Sequence, residues 1–129
     1  MEPGGAHVFA DYSGVFPRDG SALSAESIFA SLVAATEASG VRVVGQLLSV
    51  FDGSVSPLGF AAVVLIDESH VSAHSYADEG LLAVDAFTCG GTNPDDVLDD
   101  FIARIAPLAP DMVTLSRQRH DRFLRRRAS

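Results

Sequence analysis

Residues 58–87 read LGFAAVVLIDESHVSAHSYADEGLLAVDAF, and the fold turns on how this stretch divides. Leu58–Asp67 is an apolar, Val-containing run too short for a typical core helix, so it predicts a strand. His70–Tyr76 alternates: His70, Ser72, His74 and Tyr76 share one face, while Val71, Ala73 and Ser75 share the other. Leu81–Phe87 is apolar again, interrupted by Asp85. Before them, Val41–Phe51 is β-branched and apolar despite Gly45. Four strands therefore follow one another with no helix between. They must pair antiparallel, because parallel neighbours need a long crossover.

The flanking sequence supplies two helices and two outer strands. Ser24 is a candidate N-cap, Ile28, Phe29, Leu32, Val33 and Thr36 recur at helical spacing, and Gly40 stops the pattern, giving a helix over Ala25–Ser39. Thr92-Asn93-Pro94 offers a cap and a proline at the first helical position, with Asp95 and Asp96 suited to the positive end of the dipole. Val97, Leu98, Phe101, Ile102 and Ile105 form its buried stripe, and Pro107 and Pro110 end it. His7–Tyr12 predicts a first strand and Met112–Leu115 a last one. The order β-α-β-β-β-β-α-β implies an α+β, two-layer sandwich: an antiparallel sheet with both helices on one face.

With 129 residues, 47% apolar and 20% charged, residues 1–129 are expected to form a single domain with a core of its own. No apolar run approaches the ~20 residues of a spanning helix, and Met1–Gly5 has no signal-peptide character, so a cytoplasmic protein is expected. The lone Cys89 precludes an internal disulfide and a Cys-rich zinc site. All nine basic residues are Arg, and Arg117, Arg119, Arg122, Arg125, Arg126 and Arg127 crowd the last thirteen positions. That tail carries a net +5 and residues 1–116 a net −13, which argues against nucleic acid as the main partner. The tail itself is expected to be a solvated or frayed terminus rather than a docking segment.

Polar residues in mid-sheet need a chemical reason. Glu68-Ser69-His70 separates two apolar strands, His74, Tyr76, Asp78 and Glu79 follow closely, and Cys89 ends the next strand. Ser, His and Cys together are raw material for nucleophilic chemistry. The two histidines lie on a strand with no further ligand in view, so no metal is expected. Gly90-Gly91 precedes a helix, but Asp95 and Asp96 place negative charge where a phosphate would sit.

Taken together, Glu68-Ser69-His70-x-x-x-His74 and Asp85-x-Phe87-Thr88-Cys89-Gly90 resemble the prokaryotic S-adenosylmethionine decarboxylase proenzyme family. His7-x-x-Ala10-Asp11-Tyr12-x-Gly14 resembles its first strand, and Pro57-x-Gly59 its approach to the cleavage site. The resemblance implies self-cleavage between Glu68 and Ser69 into a β chain, 1–68, and an α chain, 69–129. Ser69 becomes a pyruvoyl group, which forms a Schiff base with S-adenosylmethionine and serves in place of pyridoxal phosphate or a metal. His74 corresponds to the base that drives processing and Cys89 to the proton donor in decarboxylation. Tyr76, Asp78 and Asp11 correspond to substrate contacts. A homodimer with sites near its interface is implied, as is a role in spermidine synthesis.

Some positions depart from the family. Tyr76 stands for a Trp and Asp78 for a Glu, with Glu79 as a substitute, while Ala61 replaces a processing Ser. The family's upstream aromatic aligns near Val55, with Phe51 the nearest aromatic. These changes leave two alternatives: decarboxylation of arginine or ornithine by the same group, and an unprocessed, non-catalytic homologue.

Overall fold

In the computed structural model, which describes residues 2–125, the chain runs β1 (Glu2–Ser13), α1 (Ala25–Ala38), β2 (Val43–Phe51), β3 (Gly59–Ile66), β4 (Ser69–Tyr76), β5 (Leu81–Cys89), α2 (Pro94–Ile105), a 3-10 turn (Ala106–Leu108) and β6 (Val113–Arg125). The element order is the expected one. The strands form one antiparallel sheet in the order β2-β3-β4-β5-β1-β6, so the first strand inserts between β5 and β6. α1 packs on β2, β3 and β4, α2 packs on β1 and β5, and the helices pack on each other.

Alternation decides which face is covered. Val8, Ala10 and Tyr12 of β1, Val64 of β3, Val71 and Ala73 of β4, and Val84 and Ala86 of β5 point to the helices and are almost fully buried. Ile28, Leu32, Phe101 and Ile105 meet them from α1 and α2. Each helix starts where a cap satisfies its first N–H groups: Ser24 and Ser27 form a reciprocal capping box, and the Asn93 side chain accepts from the Asp95 N–H. Among the described residues, no helix covers the opposite face. His7 and Phe9, Leu47, Val63 and Leu65, His70 and His74, Asp85 and Phe87, and His120 lie on it. All four histidines of the chain are thus on this open face.

The strand expected over Val41–Phe51 is present as Val43–Phe51, with Gly45 beside a bulge where the β2–β3 register shifts between Val43 and Gly45. One expectation is corrected. The last strand does not stop at Leu115: β6 continues along β1, pairing His120 with His7 and Arg122 with Gly5. The Arg-rich segment up to Arg125 is therefore not a frayed terminus. Arg126 and Arg127 fall outside the described residues. The physical cause is alternation of charge: Arg117 and Arg119 point toward α2, where Arg117 pairs with Asp95 and Asp99, and Arg119 with Asp95 and Asn93. The acidic first turn of α2 and the basic strand hold each other.

Arg117 and Arg119 hold the Asp95 carboxyl below the usual carboxylate range, the Arg117 hydrogen bond contributing most and partial burial opposing it. The stability from a depressed carboxyl is full above its ordinary pKa and is lost as pH falls through the lower folded value. Asp95→Asn is expected to cost about 1 kcal/mol at neutral pH, as for partly exposed pairs. The gap between variant and wild type should close below about pH 4, as read by urea denaturation across the acid range.

Candidate active site

The Glu68–Ser69 bond sits in a tight hairpin. Ile66 pairs with Ser69, so Asp67-Glu68 is a two-residue loop between β3 and β4. Such loops favour turn types with positive φ, which match the twist of the flanking strands. Among the described residues, Phe123 is the only non-glycine with positive φ, so neither Asp67 nor Glu68 provides one. The loop lacks the twist-matched form and is held from outside. Arg42 does this: its Nε and one terminal nitrogen donate to the Asp67 carboxylate at 2.9 and 2.6 Å, and the Asp67 N–H donates to the Arg42 carbonyl at 3.3 Å.

Ser69 is buried, and its hydroxyl donates to the Cys89 sulfur at 3.1 Å. Twenty residues apart in sequence, the two meet because β4 and β5 are hydrogen-bonded neighbours. Cys89 is half-buried, its thiol lying over Gly5 of β1, where a Cβ would come within 3.1 Å of the sulfur and 2.8 Å of the Thr88 carbonyl. The segment after it is tied by Thr88 Oγ1 to the Thr92 carbonyl at 2.7 Å and by the Gly90 N–H to the Gly4 carbonyl at 3.4 Å. A cavity of about 310 Å³ opens at this end, lined by Arg42, Asp67, Glu68, Ser69, Thr88 and Cys89 among others.

The other predicted residues are elsewhere. His74 is exposed, on the open face. Five residues along a strand is about 17 Å, and an odd spacing puts the two side chains on opposite faces, so His74 does not approach Ser69 of its own chain. It stands directly opposite Ala61 of β3 and Ala83 of β5. Ser49, paired with Ala61 on the far side, and Ser72 line the same hollow as His74, so two hydroxyls flank the place of the one Ala61 lacks.

Tyr76 and Asp78 lie at the end of β4 away from Ser69 and share a cavity of about 430 Å³ with Glu79, Asp52 and Pro57. Tyr76 is half exposed, and Asp78 is 3.5 Å from Arg18. Val55 is 97% exposed, whereas Phe51 lines an adjoining cavity that shares Asp52 and Leu58 with the Tyr76 one. Asp11 is exposed on the open face, level with His74 and separated from it by the width of β5.

Sequence reasoning brought Ser69 and Cys89 together and missed three contacts around them: Arg42 with Asp67, Arg18 with Asp78, and His7 Nε2 with Asp85 at 3.0 Å. None has a local signal. Each joins residues from distant segments, and only the strand order reveals them.

Comparison with known proteins gives a consistent result. The family profile described as S-adenosylmethionine decarboxylase matches residues 6–118. An S-adenosylmethionine decarboxylase proenzyme 2 of Bacillus cereus is 35% identical over 67% of this chain, and a proenzyme of that name from Brevibacillus brevis is 36% identical over 63%. These matches span only 65% and 58% of the two relatives' own lengths. The crystal structure of the adenosylmethionine decarboxylase from Aquifex aeolicus superposes with a TM-score of 0.76 at 25% identity, covering 100% of this chain and 98% of that one.

Proposed function

The chain belongs to the S-adenosylmethionine decarboxylase family, and from that premise we propose that it cuts its own Glu68–Ser69 bond and then decarboxylates S-adenosylmethionine. The observation that carries the reading is the contact of the Ser69 hydroxyl with the Cys89 sulfur beside an externally braced hairpin. Ser69 Oγ attacks the Glu68 carbonyl carbon through a five-membered ring, moving the acyl group from nitrogen to oxygen. A base removes the Ser69 α-proton, and the Glu68 carboxylate leaves. Hydrolysis of the dehydroalanine, consuming water and releasing ammonia, gives the pyruvoyl terminus of the α chain. That group supplies an electrophilic ketone, an electron sink that no ordinary side chain offers.

The residues present suit it. Cys89 contacts the Ser69 side chain through Oγ, which leaves with the Glu68 carboxylate while Cα and Cβ become the pyruvoyl group, so the thiol stands near that group, where it can deliver a proton to the former substrate α-carbon. Partial burial of the Ser69 end limits access of bulk water to that proton transfer.

His74 fits the role of processing base only across a dimer. On the open face, Leu47 and Leu65 are 65% and 48% exposed among half-buried Phe9, Val63 and Phe87, an apolar surface suited to a second copy of the sheet. In such a homodimer, His74, Tyr76 and Asp78 of one copy are available to Ser69 and Cys89 of the other, joining the two clusters at opposite ends of β4.

One observation favours a second reading. Arg18 engages Asp78, the carboxylate assigned to the ribose hydroxyls, and Tyr76 gives less stacking surface than Trp, which leaves arginine or ornithine as rival substrates. Release of labelled CO₂ decides between them. S-adenosylmethionine is expected to be turned over by protein that has separated into fragments 1–68 and 69–129. Turnover of ornithine or arginine alone would replace the substrate assignment, and a chain that never separates would overturn every enzymatic reading.

A further inference from the structure

Among the described residues, Arg42 is the only basic one lining the cavity around Glu68, Ser69 and Cys89. It lies outside the motifs that carry the chemistry, just before β2. Its backbone carbonyl and its side chain both grip Asp67, the residue preceding the one whose carbonyl is attacked. This grip extends the β2–β3 ladder one step beyond Val43 and Ile66, the last paired residues, and so reaches into the loop itself. The pair is well exposed, with Arg42 76% and Asp67 51% accessible, so its contribution to global stability is small. Its consequence is local: it fixes a loop that has no positive-φ residue to set its own twist.

We propose that Arg42 is a positioning residue for self-cleavage, holding Asp67 so that the Glu68 carbonyl stays within reach of Ser69 Oγ, and that it retains the new β-chain terminus afterwards. The inference rests on the self-cleavage reading. Cleavage places a second carboxylate on Glu68, at the mouth of a cavity that already holds the Asp67 and Glu68 side chains. The remaining N–H donors of Arg42 take no partner among the described residues, and a guanidinium accommodates two carboxylates at once. The terminus is then held at the Arg42 edge of the cavity, beside β2, and not over Ser69 and Cys89.

The test follows full-length chain made in a short cell-free pulse, with fragments counted over time by denaturing mass spectrometry. Arg42→Ala and Asp67→Asn are each expected to slow cleavage about tenfold, less than the roughly hundredfold cost of an ångström misplacement because the loop is loosened and not displaced outright. The double variant should be no slower than either single one, because both remove the same interaction. Arg42→Lys should fall between, and the swap Arg42→Asp with Asp67→Arg should recover much of the rate. Melting temperature should be unchanged throughout, which a merely structural role would not give. Once processed, Arg42→Ala should raise KM with kcat spared. Wild type that cleaves while Arg42→Ala keeps pace overturns this inference alone, as do single effects that multiply in the double variant. Wild type that never cleaves overturns both this inference and the reading beneath it.

Discussion

Ser69→Ala is expected to remain one chain of 129 residues under conditions in which the wild type separates completely into fragments 1–68 and 69–129. The alanine keeps the strand and its pairing with Ile66 but removes the hydroxyl that, one residue after Glu68, takes its acyl group through a five-membered ring. His74→Ala should also stay intact, since elimination then has no base. Refolding the two variants together makes the stronger test. In a mixed dimer the Ser69→Ala copy still carries His74 and the His74→Ala copy still carries Ser69. If His74 acts across the interface, the mixture is expected to yield fragments of the His74→Ala copy only, approaching half of that copy when the copies pair at random. The physical ground is the separation of about 17 Å, on opposite faces, between the two residues within one chain. A mixture in which both copies stay intact would remove His74 as a base supplied by the partner.

Much of this was legible in the sequence because it depends on local periodicity. The alternation in His70–Tyr76 assigned faces correctly: Val71, Ala73 and Ser75 are buried, and His74 and Tyr76 are exposed. The odd spacing from Ser69 to His74 already placed them on opposite faces. The insertion of β1 between β5 and β6 was not legible, since pairing between strands some eighty residues apart leaves no short-range pattern. The His7–Asp85 contact was hidden for the same reason.

β6 was cut short by a different limit. From Ser116 to Arg122 both faces of the strand are polar, because one meets the acidic side of α2 and the other is open, so hydrophobic alternation vanishes while hydrogen bonding to β1 continues. Charge on such an edge also discourages pairing with a further strand. Ser69 and Cys89 stood out from the sequence as reactive types near strand ends. Arg42 did not, since an Arg before a strand is ordinary and its meaning comes only from the turn it grips.

Cys89→Ala should separate processing from catalysis. Cleavage needs a nucleophile at position 69 and a base, neither of which is the thiol, so the variant is expected to yield both fragments. The Ser69 hydroxyl loses its acceptor at 3.1 Å, which leaves the attacking oxygen present but less restrained, and processing should slow without stopping. Decarboxylation is different, because the carbon left behind by CO₂ must be protonated at one atom, and the Cys89 thiol is in hydrogen-bond contact with the Ser69 side chain. Turnover per processed protomer is expected to fall on the order of 10²–10⁴-fold, the range for a removed general acid. What remains should also go astray. With no donor on the correct side, protons reach the carbon derived from Ser69, and the α chain accumulates with an N-terminal alanine that Edman degradation can read. If Cys89 were only a packed residue at the end of β5, the variant would lose stability through the small void over Gly5 but keep near-normal turnover and a blocked terminus. Activity per folded protomer, measured together with the intact mass of the α chain after many turnovers, separates a proton donor from a filler of space.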